Sequence, residues 1–265
     1  MKVKNKKIVV TGGGSGIGRD LVYGLIDKGA HVVALDINEE NLKETVEKAG
    51  KKKEDITTMV LDVTDKTAVE DFAWNGEGKD ADAIINNAGI IQPFVKLNEL
   101  EYDAIERVMK VNLYGTLYMT KALLPTLLKR DEAHIVNVSS MGGFLPVPGQ
   151  TIYGAAKAAV KLLTEGLHSE LTDTNVKVTL VFPGAIATNI SKNSGLETHK
   201  QSDSEKSGMK TMPSDKAAAK IIQAMEKDKY RVLVGSDAKF MDRIYRLHPE
   251  KAAGFIAKRM KDLLK

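Results

Sequence analysis

The 265 residues include no cysteine, so the chain can form neither a disulfide nor a thiolate metal site. That absence fits a reducing cytoplasm, the expected compartment, without requiring it. The five histidines, His31, His134, His168, His199 and His248, show no metal-ligand spacing, and no metal is expected. No segment approaches the roughly 18 apolar residues needed to span a bilayer. The Lys-rich start lacks the apolar length and the cleavage site of a secretory leader, and reads as the approach to a first strand. Basic residues number 39 against 35 acidic, and a net charge of +4 offers no basis for nucleic-acid binding. Lys51, Lys52 and Lys53 read as an exposed turn, and Trp74 as a packing residue. Internal repeats, low-complexity tracts and domain-splitting linkers are also missing, so the length predicts a single α/β domain over 1–265.

What the sequence does contain is a regular alternation. Apolar strand-like runs lie near Ile8 to Thr11, His31 to Leu35, Ile56 to Leu61, Ala83 to Asn86, His134 to Val138, Val176 to Val181 and Arg231 to Val234, separated by amphipathic helical patterns. Such alternation predicts a doubly wound parallel sheet covered by helices on both faces. Ligands in these sheets bind outside the carboxyl ends of the strands. The glycine loop, Asp36, Asp62, Asn86, Ser140 and Pro183 all fall just past such ends, so they are expected to converge although distant in sequence.

Two local patterns carry chemistry. The first apolar run enters Gly12-Gly13-Gly14-Ser15-Gly16-Ile17-Gly18, after which Leu21, Leu25 and Ile26 recur at helical spacing. The loop therefore opens a helix whose N-terminal amides and positive dipole end suit a pyrophosphate. Its spacing is T-G-x-x-x-G-x-G, with Gly12, Gly16 and Gly18 as the spaced glycines, and differs from the G-x-G-x-x-G fingerprint. A P-loop is excluded, because Arg19-Asp20 stands where Lys followed by Ser or Thr is required. The second pattern is Tyr153 followed four residues later by Lys157, with Ser140 upstream. Residues four apart share a helix face, so the Lys157 ammonium is expected beneath the Tyr153 ring, favouring the phenolate. With a pKa of about 10, an unperturbed tyrosine is a poor base at neutral pH. Lowered, its oxygen can accept a proton from an alcohol or return one to a carbonyl. For the bare pair, a tyrosine ring covered by a lysine stem is the alternative.

Further motifs follow in order: Asp62-Val63, Asn86-Asn87-Ala88-Gly89, Asn112 within Val111-Asn112-Leu113, Ser140, Tyr153-Gly154-Ala155-Ala156-Lys157, and Pro183-Gly184 followed by Thr188. With the glycine loop they make the chain resemble the short-chain dehydrogenase/reductase family from about Lys6 to Thr188. The resemblance implies a Rossmann-type sheet of about seven strands in the order 3-2-1-4-5-6-7. It implies that Gly12, Gly14, Ser15, Gly16, Ile17 and Gly18 hold a dinucleotide's pyrophosphate, and that Asp36 and Ile37 meet its adenosine ribose. Asp62 and Val63 would hold the adenine, Asn86, Ala88 and Gly89 the middle, and Pro183, Gly184 and Thr188 the nicotinamide end. Ser140 would hydrogen-bond the substrate oxygen and Tyr153 would be the acid-base group. Lys157 would bind the nicotinamide ribose as well as tuning Tyr153, and Asn112 would hold a water that relays protons. Simpler roles stand beside these: Asn86 to Gly89 as a strand exit, Asn112 as a plug in a helix kink, Thr188 as a cap, Ser139 as a structural hydroxyl.

Asp36 repels a 2'-phosphate, and the places where NADP-preferring relatives carry Arg or Lys hold Ile37 and Ser15, so NAD is expected over NADP, although Arg19 could still reach toward such a phosphate. Asn38 is the better cap for the helix begun by Glu39. The apolar stretch from Met141 to Pro148 suggests a hydrophobic alcohol or ketone, with ordinary packing as the alternative, and Gln150 is expected among the substrate contacts. A mobile lid is expected near 189–214. Near 238–265 the chain continues as a helical extension with eight basic and three acidic residues from Lys239 onward. Its apolar stripes are expected to dock on the subunit or across an oligomer interface, a membrane surface being the alternative. The family implies a homo-oligomer, tetramer or dimer. The expected activity is NAD-dependent interconversion of a secondary alcohol and a ketone. A 3-oxoacyl carrier-protein reductase and an NAD-binding regulator without turnover are the alternatives.

Overall fold

Strand β1 (Lys7–Thr11) shows why its sequence is almost unbroken apolar: Ile8 and Val10 pack into one helical layer, while Val9 packs into the other. A central parallel strand is buried on both faces and has no polar side to present. The computed structural model describes residues 1–188, 190–196 and 211–260. Its further strands are β2 (His31–Asp36), β3 (Ile56–Val60), β4 (Ala83–Asn86), β5 (Ala133–Val138), β6 (Val176–Pro183), β7 (Ile186–Ala187), β8 (Met212–Pro213) and β9 (Arg231–Val234). Seven form one parallel sheet in the order β3-β2-β1-β4-β5-β6-β9, the order expected, with β9 in seventh place. The sequence pattern did not announce β7 and β8, a short parallel pair set apart from the sheet. Strand β6 runs two residues further than expected, because Phe182 and Pro183 pair with Leu233 and Val234 of β9.

The helices are α1 (Gly16–Asp27), α2 (Glu39–Lys48), α3 (Lys66–Trp74), α4 (Tyr102–Met109), α5 (Thr116–Leu127), α6 (Thr151–Glu170), α7 (Ile190–Asn193), α8 (Ser214–Glu226), α9 (Ser236–Leu247) and α10 (Pro249–Arg259). On one face Leu21, Val22, Leu25 and Ile26 of α1 meet Ile221, Ile222 and Met225 of α8 above the sheet. On the other, Phe72 of α3 packs with Met119 and Leu123 of α5. Asn38 caps α2 as expected, its side chain accepting from the Asn41 amide at 2.8 Å. Among the described residues no helix is long and apolar enough to cross a membrane.

The last two helices fold back onto the loop after β5. Met241, Ala252 and Ile256 form a third apolar cluster with Leu145, joined by Met141, Phe144 and Val147. Phe144 also meets Phe182 edge-on, ring centroids 5.4 Å apart. Met141, Phe144 and Val147 of the apolar run thus pack against the C-terminal helices, the alternative set beside a substrate contact. Phe240, Leu247 and Phe255 stay exposed.

Candidate active site

A cleft of about 930 Å³ runs along the carboxyl ends of the strands. Gly12, Ser15, Gly16 and Ile17 line one end with Asp36, Ile37, Asp62 and Val63; Ala88 and Gly89 line the middle; Ser140, Tyr153, Lys157, Pro183, Gly184 and Thr188 line the other end. Most of the sequence-derived site residues therefore meet in one space, as the topology requires.

The glycine loop is built by close approach. A Cβ on Gly18 would lie 1.9 Å from the Gly12 carbonyl oxygen, so α1 starts directly against the loop only because Gly18 has no side chain. Gly16 holds φ +51°, and no side chain caps the first turn of α1, which leaves its amides facing the cleft. Gly14 and Gly18 do not line the cleft; they shape the loop from behind. The Asp36 carboxylate accepts from the Gly14 amide at 2.9 Å and from the Asn38 amide at 3.0 Å, so it ties the loop to the end of β2 while still lining the cleft. Arg19 turns away, donating to the Gly14 carbonyl, to Thr45 and to Glu44 at 2.6 Å.

Two neighbouring asparagines separate cleanly. Asn86 points into the core, donating to Thr120 Oγ1 at 3.0 Å and to Asn137 Oδ1 at 2.8 Å, and does not line the cleft. Asn87 does line it, and clasps Thr11 through its own main-chain and side-chain amides at 3.0 and 3.1 Å. Strand alternation decides the difference: Asn86 is the last residue of β4 and faces the helical layer, while Asn87 begins the exit loop. Of the two, the expected wall residue Asn86 is withdrawn into the core and Asn87 lines the cleft.

Asn112 sits in a π-helical stretch, Lys110–Gly115, between α4 and α5. It is fully buried, and its amide is spent on one partner: Oδ1 accepts from the Ile90 amide at 2.9 Å and Nδ2 donates to the Ile90 carbonyl at 2.8 Å. In this structure Asn112 pins the loop after β4, whose Ile90 and Ile91 line the cleft. It stays close to Lys157: a Cβ on Gly89 would lie 2.9 Å from Asn112 Oδ1 and 3.2 Å from Lys157 Nζ.

Ser140 and Tyr153 are neighbours across Gly142, whose Cβ would meet the Tyr153 ring at 3.3 Å and Ser140 Oγ at 3.5 Å. Ser139 Oγ faces away and donates to the Lys157 carbonyl at 2.7 Å. Burial pushes the Tyr153 phenol above its ordinary value, and its hydrogen bond with Ser140 acts against that rise. Burial pushes Lys157 down to about 8. Its ammonium donates to the Val138 carbonyl at 3.0 Å. Desolvation is thus the largest influence on both groups and favours the neutral form of each.

Gln150 does not reach the cleft. Its side chain is buried and donates to the Gln92 carbonyl at 2.8 Å. Sequence reasoning also missed Ile90, Ile91, Ile186, Ile190 and Arg107 on the cleft wall. The strand-exit position of Ile90 and Ile91, directly after the Asn-Asn-Ala-Gly run, was the clue available. Helix α7 lies across the opening: Asn193 donates to Ser15 Oγ at 2.7 Å, Ser194 Oγ accepts from the Ile91 amide at 2.9 Å, and Arg107 donates to the Ser194 carbonyl. The expected lid lies partly outside the described residues, which resume at Thr211 and include β8 paired with β7. Among the described residues no group of His, Asp or Glu is placed to hold a metal.

A family model described as short chain dehydrogenase matches residues 6–199. A putative oxidoreductase, SadH, of Mycobacterium tuberculosis is 34% identical over 260 residues, which cover 92% of this chain and 91% of that protein. A short-chain dehydrogenase from Burkholderia cenocepacia, solved in complex with NADP, superposes with a TM-score of 0.81 at 26% identity, covering 97% of this chain and 99% of that one. One from Burkholderia phymatum, solved in complex with NAD, gives 0.84 at 23% identity, covering 94% and 96%, and shares the fold.

Proposed function

The chain belongs to the short chain dehydrogenase family of oxidoreductases, and from that premise we propose that it interconverts a secondary alcohol and a ketone of a hydrophobic small molecule, with NAD as the preferred cofactor. One observation carries the reading: the hydroxyls of Ser140 and Tyr153 and the ammonium of Lys157 line the same cleft as the glycine loop and Asp36.

The residues present fit a dinucleotide. The uncapped first turn of α1, opened by Gly16 at φ +51°, offers main-chain amides and the positive helix end to a pyrophosphate. Asp36 and Ile37 would meet the adenosine ribose, and Asp62 and Val63 the adenine. When bound, a nicotinamide dinucleotide supplies the hydride acceptor for oxidation or the donor for reduction. Tyr153 takes the hydroxyl proton during oxidation and returns it during reduction. Ser140 donates to the substrate oxygen and steadies the charge that develops there. Lys157, one helical turn from Tyr153 on the same cleft wall, would hold the ribose hydroxyls.

The NAD preference is supported by the Asp36 carboxylate on the cleft wall and by the engagement of Arg19 with Gly14 and Glu44. The hydrophobic substrate is supported by Ile90, Ile91, Ile186 and Ile190 on the cleft wall. Exposed Tyr114 and Leu162, on the long helical stretches flanking the catalytic serine, support assembly as a homo-oligomer. The test is NADH formation by the purified protein across secondary alcohols of graded hydrophobicity, with kcat/KM measured for both cofactors. Turnover favouring hydrophobic alcohols and NAD is expected. A clear NADP advantage would overturn the cofactor preference, and absence of turnover in both directions would overturn the activity.

A further inference from the structure

Tyr153 is the third residue of α6, in the first helical turn, where main-chain amides lack intrahelical partners and the chain is most prone to fray. The helix does not cap itself: Gln150, at its N-terminal boundary, makes no side-chain cap. The acceptor comes from the loop after β4. Gln92, 1% exposed, directs its side-chain oxygen to the amides of Ile152 at 2.8 Å and of Tyr153 itself at 3.0 Å. Gln150 answers by donating its side-chain amide to the Gln92 main-chain carbonyl at 2.8 Å. The two glutamines thus form a reciprocal clasp like a capping box, but between segments remote in sequence.

We propose that Gln92 is a positioning residue for Tyr153, holding the first turn of α6 so that the phenol stays beside Ser140. The proposal rests on the reading of Tyr153 as the proton carrier. The clasp leaves Gln92 Nε2 and Gln150 Oε1 buried without partners, so polar groups are sacrificed to keep the Ile152 and Tyr153 amides bonded. A neutral amide also suits the place. A carboxylate would cap the helix as well, yet it would put a negative charge at the main chain of the residue whose phenol burial already pushes up. The loop that carries Gln92 is fixed at its other residues, Ile90 by Asn112 and Ile91 by Ser194, so the clasp joins the cleft wall to the catalytic helix.

The full-length protein tests this with two variants. Gln92→Leu removes the acceptor. The Ile152 and Tyr153 amides are expected to exchange with deuterium at least about tenfold faster and kcat to fall by about tenfold, with cofactor Kd within about twofold of wild type. Gln92→Glu keeps the acceptor and adds charge. It is expected to retain amide protection while the limb of the pH profile assigned to Tyr153 moves to higher pH. Faster exchange with unchanged kcat in Gln92→Leu would make Gln92 a cap alone and overturn the proposal, as would an unmoved limb in Gln92→Glu. If Gln92→Leu does not fold, the Gln92→Glu profile decides. A Tyr153→Phe variant run in parallel separates the two readings: if it turns over like wild type, the proton-carrier reading fails, whatever the exchange data show.

Discussion

Asp242 and Lys157 are both buried, and their surroundings treat charge in opposite ways. Asp242 accepts from both Arg231 terminal nitrogens, at 3.1 and 2.6 Å, and from Arg246 at 3.2 Å. The Arg231 hydrogen bonds hold its carboxyl below the usual range, and Arg231 itself lies over the Phe182 ring, 4.6 Å from the centroid. Lys157 donates instead to a neutral carbonyl, that of Val138, and burial pulls it down to about 8, while burial drives Tyr153 up. One cluster ties β9 to α9 and pairs its carboxylate with two guanidinium groups. The other is left uncompensated on a cleft wall, where a protonation state can change and a ligand can supply what is missing. Burial alone does not tell the two apart; the partners do.

The largest effect that sharpens this contrast is expected from Tyr153→Phe, which keeps the ring and removes the proton carrier: kcat should fall by about 10³-fold with cofactor affinity little changed. Wild-type turnover in that variant would break the comparison. Asp242→Ala strands the partly buried guanidinium of Arg231 and should destabilise the protein by about 3 kcal/mol in denaturant titration, with activity per folded molecule retained.

His134 supplies a third case, far from the cleft, where burial outweighs the nearby Asp228 carboxylate, 3.4 Å from Nδ1. Its ring is buried, Nε2 bonds Thr179 Oγ1 at 2.8 Å, and desolvation lowers it to about 4 from 6.5. The unfolded chain therefore binds this proton first, so stability falls as pH drops from about 6.5 to 4, by up to roughly 3 kcal/mol. His134→Gln should flatten that limb of the stability profile, and an unchanged limb would show that other groups carry it. The smallest stability effect is expected from Lys157→Met, more stable by about 2 kcal/mol near neutral pH without cofactor. In the wild type, stability should rise as pH climbs from about 8 toward 10.5, because the unfolded chain holds the lysine proton over that interval and the folded one does not. The variant should lack this slope. A less stable Lys157→Met would mean that the bond to Val138 outweighs the buried charge.

Much of the architecture was legible because it follows from local rules. A strand buried on both faces must be apolar throughout, and a chain that turns tightly into a helix needs glycine where φ is positive or where helix and loop touch, as at Gly16 and Gly18. The convergence of Asp36, Asp62, Ser140 and Pro183 followed from strand ends lying at one edge of a parallel sheet. The errors share another cause. Asn86 and Asn87 differ by one residue in a strand of four, and the end of β4 chose which of them faces the cleft. Met141 to Val147 and Gln150 looked available to a ligand because their partners, α9, α10 and Gln92, lie far along the chain.

Taken alone, then, the amino-acid sequence determined the order of strands and helices, the glycine-built loop and the residue types able to carry a proton, since each depends on backbone freedom or side-chain chemistry within a few positions. Only the tertiary structure decided which side chains are desolvated, which buried charges find partners, and that the Tyr153 amide is held by Gln92. Those outcomes depend on distances between segments that no local spacing encodes.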